Sequence, residues 1–347
     1  MVLGAGGITG IAWLLGALEA IRETTGWDPG DADVLCGTSA GAVAAVVTAA
    51  RMPSEPLLRM AEDQSELDAA IARATGDAPV GHRLPLAWPG SLALGLTGLA
   101  AADTQRRLSS LAGFVPAGFR SGDEIRGLVH DAAAGGWPTH TRLLVNATDY
   151  GSGQRVTFGA HGAPDVPLRE AVTASAAVPG YYRPVRIGSG RYIDGGVVSF
   201  SNADLVARYE PDLVLCLSPF GTTVSGGRKD AAVFGPVRRA VAWQLRREVA
   251  QLRDAGTRVE IIEPTRADLD VMGLNIMERR HSRAVLHAAR VSVAAGLAGH
   301  ALDDLGTARR DSRGSPQRSG ADDALAPSGA LMGGDRGAPP TATPMSA

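Results

Sequence analysis

Gly37-Thr38-Ser39-Ala40-Gly41 sets one hydroxyl between two glycines, directly after the apolar run Val34-Leu35-Cys36 and directly before an alanine-rich stretch from Ala42 to Arg51. That order is what a serine nucleophile needs. A tight strand-to-helix turn pushes the side chain out of the backbone, and Gly37 and Gly41 remove groups that would crowd the turn. The helix that follows points its positive end at a forming alkoxide or oxyanion. In a chain with 44 glycines the pentapeptide alone says little, so the strand before it and the helix after it carry the argument.

A second candidate lies at the start of the chain. Gly4-Ala5-Gly6-Gly7-Ile8-Thr9-Gly10 opens a helical pattern with Ile11, Leu14, Leu15, Leu18 and Ile21 on one face. Free backbone N–H groups at such a helix start suit an anion, either a dinucleotide pyrophosphate or the oxyanion of a tetrahedral acyl intermediate. The dinucleotide reading wants Gly-x-Gly-x-x-Gly and an acid at the end of the second strand. Here the spacing is Gly4-x-Gly6-x-x-x-Gly10, and Asp31 and Asp33 precede that strand. The oxyanion reading fits better.

A serine also needs a base. None of the seven histidines (His82, His130, His140, His161, His281, His287, His300) follows a predicted strand late in the chain, where a hydrolase histidine belongs. Asp194, in Tyr192-Ile193-Asp194-Gly195-Gly196, follows a short strand and precedes two glycines that let its carboxylate project. Asp-Gly alone is an ordinary turn. Beside an exposed serine and a glycine oxyanion loop it becomes the candidate partner. Asp149, by contrast, reads as a turn cap.

These pieces together resemble the patatin-like phospholipases, a family of lipid acyl hydrolases. The glycine loop at the first strand, Gly-Thr-Ser-Ala-Gly at 37–41 and Asp-Gly-Gly at 194–196 come in the family's order. Thr173-Ala174-Ser175-Ala176-Ala177-Val178-Pro179-Gly180 looks like its small-residue helix end. The resemblance covers about residues 1 to 300. It implies a three-layer α/β/α fold on a mostly parallel sheet, with Ser39 as nucleophile and Asp194 as its partner in a Ser-Asp dyad. Gly6, Gly7 and Ile8 would supply oxyanion-hole N–H groups, supported by Gly4, Gly10, Gly37, Gly41, Gly195 and Gly196. It also implies a lipid ester substrate and no metal or organic cofactor. An acyltransferase using the same dyad, or a non-catalytic lipid-binding protein on the same fold, are the alternatives. One departure stands out: the family's loop typically carries Arg or Lys where this chain has Thr9.

The elements that must hold these groups alternate. Strands are expected at the chain start and at Asp33–Cys36, Arg142–Ala147, Arg155–Phe158, Arg191–Ile193, Asp212–Leu217 and Arg258–Ile262. Helical patterns lie near Leu168–Ala177, Asn202–Tyr209, Val237–Ala255 and Ile276–Leu302. Such alternation argues for a mostly parallel sheet covered on both faces. Residues 80–119 read as an apolar insertion or lid. From 306 onward the chain lacks large apolar residues and reads as a disordered tail after one catalytic domain over 1–305. Arg238, Arg239, Arg246, Arg247 and Arg253 read as a solvated face, with membrane docking as the other option, and Met272, Met277 and the tryptophans as packing.

Composition narrows the rest. At 347 residues and 45% hydrophobic content the chain can bury a full α/β core, and a net charge of −2 offers no basic face for nucleic acid. Cys36 and Cys216 sit in apolar runs and read as core residues. Met1–Leu18 is apolar but lacks a basic start and a cleavage site, and its glycines interrupt it. The expectation is a cytoplasmic protein, free or peripheral to a membrane, with no signal peptide and no transmembrane helix.

Overall fold

The computed structural model describes residues 1–59, 63, 91, 113–116 and 118–298. The expected insertion over 80–119 falls almost wholly outside this set, and the expected tail from 306 wholly so.

Eight strands form one sheet: β1 (Val2–Leu3), β2 (Val34–Thr38), β3 (Arg142–Asp149), β4 (Arg155–Phe158), β5 (Val185–Ile187), β6 (Gly190–Asp194), β7 (Leu213–Leu217) and β8 (Arg258–Ile262). Their order is β5-β6-β3-β2-β1-β7-β8, with β4 also paired to β3. The run β3-β2-β1-β7-β8 is parallel throughout, while β4, β5 and β6 add an antiparallel margin. The parallel strands are short and apolar because both of their faces are covered. Val2, Leu35, Leu144, Val214 and Leu217 are all buried.

Helices α1 (Gly7–Thr25), α2 (Ala40–Ala49), α3 (Asp123–Ala132), α4 (Leu168–Ser175), α5 (Arg228–Val233), α6 (Gly235–Asp254), α7 (Arg266–Met272) and α8 (Ser282–Leu297) complete the described set. One hydrophobic cluster joins Leu14, Leu18 and Ile21 of α1, Val43 and Val46 of α2, Ala171 of α4 and Val285 of α8 to the sheet. A second joins Val2, Cys36 and Cys216 to Leu245, Val249 and Leu252 of α6. Two helical layers therefore clamp the sheet, giving the expected three-layer α/β/α fold with a mostly parallel centre. Cys36 and Cys216 are buried free thiols.

Departures from the expected elements fall where local pattern is short. Residues 203–209 form a 3-10 helix, β5 is a three-residue strand with no detectable period, and α8 begins at Ser282 instead of 276. Arg238 corrects the solvated-face reading. It is buried on Asp230 (3.3 Å), donates to the Phe220 carbonyl (3.1 Å) and lies 4.6 Å over the Phe220 ring. Arg239, Arg246, Arg247 and Arg253 stay exposed.

Candidate active site

Sheet register brings the two candidate catalytic side chains together. Thr38, the last residue of β2, pairs with Asn146 of β3, and Asp194, the last of β6, pairs with the next β3 residue, Ala147. The residue that follows Thr38 is Ser39. Its Oγ donates to Asp194 Oδ2 at 2.6 Å.

Ser39 sits on the strand-to-helix turn with φ 54° and ψ −117°, left-handed backbone that a non-glycine residue adopts only under constraint. Close packing supplies the constraint. A Cβ on Gly41 would lie 1.9 Å from the Leu3 carbonyl oxygen, so only glycine lets α2 start this near β1. Gly37 lies in β2 beside Leu3 and Val145. The Ser39 N–H donates to Ser175 Oγ (2.9 Å), and that hydroxyl donates to the Asn146 carbonyl (2.6 Å). Ser175 comes from the small-residue helix end and fixes the turn from the far side.

Asp194 is equally fixed. Its N–H donates to the Ala177 carbonyl (3.0 Å) and its own carbonyl accepts from Thr148 Oγ1 (3.0 Å). Gly195 begins a 3-10 turn, and the Gly196 N–H donates to Asp194 Oδ1 (2.7 Å). Burial pushes the carboxyl up from the ordinary aspartate value to about 6, against the downward pull of the Ser39 and Gly196 hydrogen bonds. The carboxylate is a stronger base than one in water.

At the glycine loop, Gly4 N–H donates to the Leu217 carbonyl and Ala5 N–H to the Phe200 carbonyl, while Thr9 and Gly10 N–H bond to Ile276 and Gly6 carbonyls. Among the described residues no group accepts from the N–H of Gly6, Gly7 or Ile8. These are donors at the start of α1, where the helix offers no internal partner. Gly7 has φ 66°, and a Cβ there would meet the Ile276 carbonyl oxygen at 2.6 Å. Thr9, at the place of the family's cation, is fully buried and turned to the same Ile276 carbonyl. It ties the loop to Ile276 and contributes no charge.

Ser39 opens on a cavity of about 120 Å³ whose walls include Gly7, Ile8, Ile11, Leu15, Val43, Leu58, Ile125, Leu128 and Met277. The lining is mostly apolar, as an alkyl chain requires. Met277 packs against the core, as expected, and also borders the cavity. A polar cluster also reaches it: Glu124 accepts from Tyr182 Oη, Arg120 Nη2 (2.8 Å) and Arg279 Nη2 (3.0 Å). Burial pushes Glu124 up, but Tyr182, Arg279 and Arg120 together hold it below the ordinary glutamate value. Sequence reasoning missed this cluster, because its members lie on separate elements with no motif linking them.

A buried network extends behind the turn. Asn202 Nδ2 donates to Thr38 Oγ1 (2.9 Å), and Glu248 of α6 accepts from Ser199 Oγ (2.6 Å), Ser201 Oγ (2.6 Å) and Ala203 N–H (2.8 Å). The described histidines, His130, His140, His161, His281 and His287, are all exposed. Asp149 Oδ1 accepts from Gly151 and Ser152 N–H and caps a turn, as its position suggested.

The layered fold is that of a three-layer α/β protein with a serine turn set against a buried carboxylate. The patatin-like phospholipase family model matches residues 1–207, and the chain belongs to that family of lipid acyl hydrolases. No curated protein matches the chain. Among the described residues no helix is long and apolar enough to cross a membrane.

Proposed function

We propose that this protein is a serine hydrolase of lipid carboxylic esters, working through Ser39, Asp194 and an acyl-enzyme. The observation that carries the reading is the 2.6 Å contact between Ser39 Oγ and Asp194 Oδ2, at a strained turn opening on an apolar cavity. Asp194 takes the Ser39 proton as Oγ bonds to the ester carbonyl carbon. Charge develops on the carbonyl oxygen, and the N–H groups of Gly7 and Ile8, with Gly6 at the cap, are the donors available to it. Each such donor contributes about 3–4 kcal/mol. Collapse of the intermediate expels the alcohol, which leaves with the proton from Asp194. Water then attacks the acyl-serine, giving its proton to the same carboxylate, and Ser39 is regenerated as the fatty acid departs.

The base must be ionised, so kcat/KM on a soluble ester falls as pH drops through about 6. Ser39→Ala, purified and folded, abolishes hydrolysis of that ester on this reading. Retention of full activity would end it.

A further inference from the structure

Trp243 departs from the packing expected of the tryptophans: it is the most exposed large apolar side chain among the described residues, at 62%. It lies on α6 with Arg239 one turn before it and Arg246 and Arg247 one turn after, all on one face. The Arg247 guanidinium lies 4.8 Å over its ring. Val233 of α5 and Val237 of α6 are also exposed.

Charge on this stretch is one-sided. Between 228 and 247 the exposed ionisable residues are Arg228, Lys229, Arg239, Arg246 and Arg247, and the single acid, Asp230, is buried on Arg238. The carboxylates placed beside it are Glu263, paired with Arg246 at 3.2 Å, and Asp270, which accepts from the Gly227 N–H. On the Trp243 face itself three arginines stand against one paired acid, Glu263, a basic patch in a chain whose net charge is −2.

The patch belongs to the end of the sheet that carries the dyad. Gln244, next to Trp243, donates to the carbonyl of Val198 (3.1 Å), just beyond the Asp194 turn. Beneath Arg238, Phe220 stacks on Phe200, whose carbonyl accepts from Ala5 of the glycine loop.

We propose that the face formed by Trp243, Arg239, Arg246 and Arg247 docks on a bilayer containing anionic phospholipid. The inference rests on the lipid-ester reading above. Indole rings settle at the headgroup level, and arginine stems lie along apolar surface while their heads meet phosphate. A second copy of the chain fits less well, because it would set two positive faces together.

The test is co-sedimentation of the full chain with vesicles of phosphatidylcholine alone and of an equal mixture with phosphatidylglycerol. Partitioning onto the mixed vesicles should be at least about tenfold stronger and should weaken with salt. Trp243→Ala, and Arg239→Glu with Arg247→Glu, should each remove most of it while hydrolysis of a soluble short-chain ester stays as in wild type. The wild-type minus Trp243→Phe fluorescence should shift to the blue on the mixed vesicles. Equal binding to both vesicle types, no binding, or variants that bind like wild type would overturn the proposal. So would a wild-type dimer that Trp243→Ala makes monomeric. Vesicle binding without soluble-ester activity would instead count against the hydrolase and leave the docking face standing.

Discussion

Asp194 and Glu248 are both buried carboxylates whose ionised form burial disfavours, yet the structure treats them oppositely. Glu248 is closed off. Two serine hydroxyls and a backbone N–H saturate it between α6 and the loop after the 3-10 turn. Asp194 has one backbone donor and one hydroxyl, and that hydroxyl belongs to the residue bordering the cavity. A carboxylate held by groups that go nowhere is a strut. One held by a hydroxyl whose residue borders the cavity is, on the proposed reading, the base that takes that hydroxyl's proton.

The largest effect separating the two should come from Asp194→Asn, which is expected to lower kcat/KM by about 10³-fold or more. The same change should raise stability at pH 8. The folded-state pKa of about 6 lies above the usual aspartate value, so burial penalises the ionised form. The gain is bounded at about 3 kcal/mol above pH 6 and vanishes below about pH 4, where both states are protonated. Urea melts at pH 8 and pH 4 would show it, and equal stability at both values would contradict the assignment.

Glu248→Ala should do the reverse. Leaving two hydroxyls and one N–H without an acceptor should cost about 3 kcal/mol in urea unfolding, with a smaller loss of kcat than for Asp194→Asn. If its kcat fell as far as that of Asp194→Asn, the distinction between strut and base would fail. Smallest is Ser39→Gly, which releases the positive-φ turn and should stabilise the fold by about 1 kcal/mol while removing activity.

The two halves of the proposed dyad were not equally legible. Ser39 could be found because a strained turn must carry its glycines within a few residues, so Gly37 and Gly41 advertise it. Asp194 looked like any Asp-Gly turn. Its pairing depends on both strands meeting β3 at consecutive residues, a register spanning 155 positions that local pattern does not hold. The serine turn and the glycine loop made it the candidate partner, and the resemblance to a known family supported that pairing. Burial of Arg238 was hidden because the helical pattern is expected only from Val237, whereas its partners Asp230 and Phe234 lie eight and four residues before it, ahead of that pattern. The central parallel strands β2, β3 and β7 were readable because burial on both faces forces continuous apolar runs. The three-residue β5 and the 3-10 turns carry too few residues for a period to appear.

The most direct measurement is intact-mass labelling with a fluorophosphonate probe on wild type, Ser39→Ala and Asp194→Asn. The account predicts one adduct on wild type, none on Ser39→Ala, and much slower labelling of Asp194→Asn. An adduct that persists in Ser39→Ala, or that forms as fast in Asp194→Asn as in wild type, would contradict a dyad in which this aspartate activates this serine.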